Sequence, residues 1–355
     1  MIVNQWVPAA HTGDAVGDHL RAVRDLLRAC GHESDIYAMQ IDDDLRGQIR
    51  PFEDPAARDG DVTLLHFAVS SRMSAAFGTL PGTRVLYYHN VTPARFFAPF
   101  DANIARLCHA AREELAALAG RVDLAVGASE YNRQELDALG FASTSVLPIL
   151  VNTDRLTNAP PRPALEHLLD DGLTNILFVG RLAPNKKIED HIRLAEHYKR
   201  YVDVRYRFIF VGRADAVPAY CTAVQALLAE FRMPPDRFWF TGPVPDADLA
   251  AYYRHAHAYV SLSEHEGFGV PLLEAMSMEV PVLAYAGTAV PETLGGAGVA
   301  FAPKDLEMAA ELLGSLVYDE PLRRQVLAGQ RRRIADFALD RVSASWQRTL
   351  ETVTS

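Results

Sequence analysis

The chain has 355 residues, with 35 Lys plus Arg against 45 Asp plus Glu, a formal charge of −10. Hydrophobic residues at 49% and charged residues at 23% are ordinary for a globular protein, and the length suffices for two cores. These figures exclude a disordered or collagen-like chain, and the acidic balance argues against a nucleic-acid partner.

Cys30, Cys108 and Cys221 are isolated, which offers neither a disulfide framework nor a CxxC metal site. The sequence MIVNQWVPAAHTGD lacks a basic start followed by a long apolar run, and no stretch of ~18 apolar residues follows. The expectation is a cytoplasmic chain without a spanning helix, with peripheral contact at the inner face of the cell membrane left open.

Short β-rich runs alternate with segments of helical periodicity. The first series is 2–6, 34–38, 62–67, 84–88, 122–127 and 145–149, with helical patterns at 19–30 and 105–119. The second is 175–180, 207–212, 237–241, 258–262, 281–285 and 298–302. Such alternation implies parallel sheets with helices on both faces, an α/β chain of two doubly wound, Rossmann-like domains. The Pro-, Asn- and Asp-rich stretch 152–172 lies between the series. It divides the chain into residues 1–155, a linker at 156–172, and residues 173–334. The last helical run, 335–355, is expected to cross back to the first domain. Ligands of such folds bind at the carboxyl ends of the strands, here in a central cleft.

In chain order, the first candidate is HTGDAVGDH, where Gly13 and Gly17 bracket a turn into a helix. It fails G-x-G-x-x-G, so a dinucleotide reading is weak. Asp42-Asp43-Asp44 superficially suggests a metal site but fits a solvated acidic turn better. His66 and His89 each end a strand; a lone histidine is as readily structural as functional. In NILFVGRLAPNKKIEDHI, Arg181 and Lys186 lie five apart in a loop opening a helix, either a solvated basic loop or a cradle for a diphosphate. In SEHEGFGVPLLEAM, Glu266 and Glu274 are separated by seven residues, with Gly267, Phe268 and Gly269 directly after the first. Glycines admit close approach of a ligand to a helix start, and carboxylates accept hydrogen bonds from sugar or ribose hydroxyls. Alone, the pair is better read as a carboxylate complementing a helix dipole.

These stretches, with FTGPVPDADLAAYYRHAHAYVSL, PVLAYAGTAVPETLGGAG, GASEYNRQEL and VLPILVNTD, resemble the large retaining family four of GT-B-fold nucleotide-sugar glycosyltransferases (glycosyl transferases group 1). The resemblance covers nearly the whole chain and is strongest from 175 to 300. It implies an acceptor-binding first domain and a nucleotide-sugar-binding second domain. It implies that Glu266 holds the donor sugar, Glu274 binds ribose hydroxyls, and Gly267, Phe268 and Gly269 offer backbone to sugar and phosphates. Arg181 and Lys186 would neutralise the diphosphate and His89 would touch the donor sugar. The base would lie near Val211-Gly212-Arg213 and Gly242-Pro243-Val244. Departures fall at Met278-Glu279 and at Asn152, outside the main chemistry.

The implied reaction moves a sugar from a nucleoside diphosphate to a hydroxyl of a glycan or lipid-linked glycan with retained configuration. No cofactor or metal is expected, because the protein's own cations meet the diphosphate. YYHNVTPARFF with SEHEGFGVPLLEAM looks most like bacterial mannosyltransferases of surface-polysaccharide assembly, so GDP-mannose is the first donor expected, before UDP- or ADP-sugars. The rivals are a GT-B nucleotide-sugar epimerase or hydrolase, and a non-catalytic nucleotide-sugar-binding subunit.

Overall fold

The computed structural model describes residues 1–11 and 15–354. The chain forms two compact units. Met1–Ala98, Ala102–Val151 and Asp336–Ser355 make the first, and Pro99–Asp101 with Asn152–Ala335 make the second. Among the described residues, no helix is long and apolar enough to cross a membrane.

The first unit carries β1 (Val3–Ala10), β2 (Ile36–Ile41), β3 (Arg50–Pro51), β4 (Val62–Phe67), β5 (Thr83–Tyr88), β6 (Leu124–Gly127) and β7 (Thr144–Val146). They form one parallel sheet in the order β3-β2-β1-β4-β5-β6-β7. Every residue of β4 is buried, as a strand covered by helices on both faces requires. Successive β1 side chains part to opposite faces: Trp6 joins Phe52, Phe67, Phe77 and Tyr88, while Val7 joins Leu20, Ile36 and Ile49. The strand order reverses between β1 and β4. The helix Leu339–Thr354 belongs to this unit and buries Trp346 against Tyr87, ring centroids 5.3 Å apart.

The second unit carries β8 (Thr174–Val179), β9 (Tyr206–Val211), β10 (Phe238–Gly242), β11 (Ala258–Ser261), β12 (Val282–Tyr285) and β13 (Val299–Phe301). Their parallel order is β10-β9-β8-β11-β12-β13, with the reversal between β8 and β11. At a reversal the connections leave in opposite directions, so the loops after the two central strands open a crevice at their carboxyl ends.

The stretch read as a linker, 156–172, is part of this unit. Pro163 starts a helix, Pro163–Leu169, with its fixed φ. The helix end is tied down where Asn175 Nδ2 donates to the Leu169 carbonyl at 3.0 Å. The Pro, Asn and Asp residues that suggested a connection mark helix starts and turns instead.

Candidate functional site

The reversal between β8 and β11 sets two loops side by side. After β8 the chain runs through a 3-10 turn, Pro184–Lys186, and Lys187 takes a left-handed φ of 55° before the helix Ile188–Tyr201. After β11 it runs through 262–269 into the helix Val270–Ser277. Lys186 Nζ donates to both oxygens of Glu266, at 2.6 and 2.7 Å, with the side chains 19% and 14% exposed. That geometry uses two of the three ammonium N–H groups and leaves each carboxylate oxygen further acceptor capacity.

Asn185 stitches the same loops together. It is buried, its Nδ2 donates to the His265 carbonyl at 3.0 Å, and its own carbonyl accepts from Glu264 N–H at 2.9 Å. Around the pair, Lys304 bonds Asp190 at 2.7 Å and Glu264 at 3.0 Å. Burial works to raise the Asp190 pKa, but Lys304 holds its carboxyl below the usual range.

Gly269 precedes the second helix with a φ of 94°, and a Cβ there would come within 2.9 Å of Leu272 Cδ1. Only glycine takes that conformation without strain. Phe268 is buried and its carbonyl accepts from Thr293 Oγ1 at 2.5 Å; Gly267 is half-buried beside it. One helical turn on, Glu274 is 3% exposed and accepts from Arg155 and, at 3.0 Å, from Tyr253 OH. Burial dominates and raises the Glu274 pKa despite Arg155. Burial likewise keeps the Tyr253 hydroxyl protonated as a donor.

Other expected residues stand differently. Arg181 is exposed, with no hydrogen bond or ion pair to a described residue. Gly212 is a packing glycine: a Cβ would meet the Gly180 carbonyl oxygen at 2.2 Å, so the ends of β8 and β9 touch backbone to backbone. Val244 is half-buried just after β10. Gly13 lies outside the described residues. Gly17 is buried in the first turns of the helix Ala15–Ala29, where a Cβ would come within 2.8 Å of the His11 carbonyl oxygen. Asp42–Asp44 form the expected acidic turn, with Asp42 bonded to His11 and Asp43 to Arg46.

His89 sits at the end of β5 in the first unit, in a cluster with His19 and His66. One nitrogen of each ring lies within 4.8 Å of those of the other two. Gln5 Nε2 donates to the Leu20 carbonyl, so Gln5 Oε1 faces His66 Nε2 at 3.0 Å and must accept its proton. His66 Nδ1 is then an acceptor and takes the proton of His89 Nε2 at 3.0 Å. His19 Nδ1 accepts from the Leu150 N–H at 3.0 Å, which leaves its proton on Nε2. His89 Nδ1 and His19 Nε2 are buried without a hydrogen-bond partner among the described residues. Burial lowers all three pKa values, that of His89 to about 3, and the rings are neutral. These tautomers run against a metal at the cluster, since the His19 nitrogen not bonded to Leu150 presents a proton rather than a lone pair. Both ring nitrogens of His89 face the interior.

Sequence reasoning groups Lys186, Glu266 and Glu274 by placing the first two in loops after strands and the third in the helix that follows. It misses Asn185, Arg155, Tyr253 and Gln5. Asn185 has a local signal, standing directly before Lys186. Arg155 meets Glu274 across 119 positions, for which the sequence carries no periodic sign.

Residues 166–333 match the family model Glycosyl transferases group 1. Among curated relatives, the O-antigen chain mannosyltransferase B of Escherichia coli is 33% identical over 40% of this chain, but the match spans only 37% of that protein's length. The phosphatidyl-myo-inositol mannosyltransferase of Mycobacterium leprae is 27% identical over 83% of this chain and 75% of its own. Among solved structures, Anabaena Alr3699/HepE in complex with UDP-glucose superposes with a TM-score of 0.78 at 14% identity, covering 99% of this chain and all of that one. The two Rossmann-like sheets are those of the GT-B fold.

Proposed function

We propose that the chain is a retaining glycosyltransferase using a nucleoside-diphosphate sugar, a reading supported by the match of residues 166–333 to the Glycosyl transferases group 1 model. The observation that carries the reading is the Lys186–Glu266 pair at the β8/β11 reversal, ahead of a glycine-started helix and a buried Glu274. A sugar hydroxyl needs an acceptor, and both Glu266 oxygens keep acceptor capacity beyond their bonds to Lys186. A diphosphate needs positive charge, and Lys186 together with the exposed Arg181 supplies it. A ribose needs a fixed acceptor, and Glu274 is fixed by Arg155 and Tyr253 while each of its oxygens keeps a second lone pair.

In the proposed reaction the bond between the anomeric carbon and the diphosphate oxygen breaks. The acceptor oxygen bonds on the same face, and its proton passes to a phosphate oxygen of the departing nucleotide. Lys186 and Arg181 would stabilise charge as it develops, a kind of contribution worth about 3 kcal/mol per donor. The base would lie beside Gly212 and Val244. No metal is needed in this scheme. GDP-mannose is the favoured donor, supported by the mannosyltransferase names among the relatives. The acceptor is a hydroxyl of a glycan or lipid-linked glycan.

Calorimetric titration of GDP, UDP and ADP into the protein with EDTA present tests this. Binding of GDP in preference to the others is expected. Preference for UDP or ADP would overturn the donor, and binding of no nucleotide until magnesium is restored would overturn the metal-free scheme.

A further inference from the structure

Glu266 owes its place to more than Lys186. The segment after β12 turns back toward 264–268, and there Thr288 meets the backbone of Glu266 twice. Its Oγ1 accepts from Glu266 N–H at 2.8 Å and donates to the Glu266 carbonyl at 2.9 Å. Ala289 N–H adds a longer bond to that carbonyl at 3.4 Å. Two residues beyond Glu266, Thr293 holds the Phe268 carbonyl. On the other side Asn185 holds His265 and Glu264. The five residues 264–268 are thus hung between two elements that come from different parts of the chain.

Thr288 does this from a conformation β-branched residues avoid. Its φ is 47°, in the left-handed region where glycine or asparagine is the ordinary occupant. Glycine already precedes it at 287, so a glycine at 288 would relieve the backbone at once. What a glycine would lose is the hydroxyl that holds both the N–H and the carbonyl of Glu266, in the two peptide units flanking its Cα. A strained residue held by its own side chain at the site's edge points to a role in the site.

We infer that Thr288 is a positioning residue for Glu266, setting the carboxylate where Lys186 and the donor sugar meet it. The inference rests on reading Glu266 as the donor-sugar residue. Thr288 touches no reacting atom; it acts by fixing the peptide from which the carboxylate projects.

Thr288→Gly admits the same backbone conformation but removes the methyl as well as the hydroxyl, whereas Thr288→Ser loses the methyl alone and keeps the hydroxyl, so the pair separates the two. With GDP-mannose as donor, Thr288→Gly is expected to lower kcat at least tenfold with KM within about threefold, and Thr288→Ser to stay within about threefold of the parent chain. In a Glu266→Gln background, Thr288→Gly should cost no more than a further twofold, since its effect passes through that carboxylate. An equal loss in both backgrounds would mean general loosening and would overturn the inference. Hydrogen exchange gives an arm independent of turnover. The amides of 264–268 should exchange at least tenfold faster in Thr288→Gly and not in Thr288→Ser. Unchanged exchange would overturn the clamp itself. A parent chain that leaves GDP-mannose untouched while the exchange result holds would overturn the functional reading and leave the clamp standing.

Discussion

In the second unit the strand order reverses between β8 and β11, and the loops leaving those strands bring a lysine and a glutamate into a bidentate pair. In the first unit it reverses between β1 and β4, and the side chains gathered there are Gln5 and three imidazoles packed with Tyr87 and Trp346. Both crevices follow from one topological rule, yet one is lined with charge and the other with neutral rings. Lys186 and Glu266 keep some exposure and spare hydrogen-bonding capacity, so a ligand's oxygens can share them. Gln5, His66 and His89 direct acceptor and donor at one another in a fixed sequence of tautomers, with His19 packed beside them and bonded to Leu150. The same fold thus provides an ion pair open to ligand and a buried polar chain, and the difference lies in side chains alone.

The largest effects should come from breaking the charged crevice. Lys186→Ala and Glu266→Ala are each expected to cut sugar transfer at least ~100-fold, a loss of about 2.7 kcal/mol in transition-state stabilisation. Because the two act together, the double variant should fall little below the worse single one. Steady-state rates with GDP-mannose decide it, and either single variant within threefold of the parent would remove the pair from the chemistry.

The same contrast shows what the sequence could and could not disclose. Every β-rich run read in the sequence is a strand, because buried parallel strands are continuous apolar runs bounded by glycines and turns. The strand it lacks is β3, two residues including Pro51 at the sheet edge, too short for any periodicity and with no amide to donate at the proline. Lys186 and Glu266 are readable as a site because each lies in the loop that leaves a strand's carboxyl end, and such loops converge by rule. Arg155 and Thr288 are not, since their partners are chosen by packing between distant segments. Arg155 even fell in the stretch assigned to the first domain. The three histidines lie on a helix, a strand and a strand end, and no spacing announces that they meet.

A smaller effect sharpens the charged side of the comparison. Arg155 is 26% exposed in its side chain and Glu274 is 4%, so Arg155→Met strands a buried carboxylate. The expected loss is about 3 kcal/mol in unfolding free energy near neutral pH. Its pH dependence has a definite sign. The folded chain holds the Glu274 proton more tightly than the unfolded chain, so its contribution to stability is full below the unfolded value of 4.5 and is lost as pH rises through the higher folded value. Arg155 opposes that rise, so its removal carries the loss further upward. Urea unfolding should therefore show a parent-to-variant gap that widens from pH 4.5 to 7.5; a constant gap would mean that Arg155 matters for packing rather than for the charge.

The neutral crevice should answer in the opposite direction and by less. Burial holds the pKa values of His19, His66 and His89 below the unfolded value of 6.5, that of His89 at about 3. Between those limits the unfolded chain binds more protons than the folded one. Stability is therefore full above 6.5 and is lost as pH falls, by up to about 1.4 kcal/mol per pH unit for each histidine concerned. The second unit contains His191, buried and lowered to about 4, so the parent chain's slope alone would not assign the effect. His66→Leu isolates it: the variant loses stability at pH 7, where Gln5 and His89 lose a partner, but its decline from pH 7 to 5 should be shallower by about one histidine. Chemical unfolding followed by tryptophan emission in a Trp239→Phe background, which leaves Trp6 and Trp346, both buried in the first unit, reads the slope from that side. A variant whose slope equals the parent's would show that His66 takes up its proton as readily in the folded chain as in the unfolded one, and the neutral chain of tautomers running from Gln5 to His89 would fall with it.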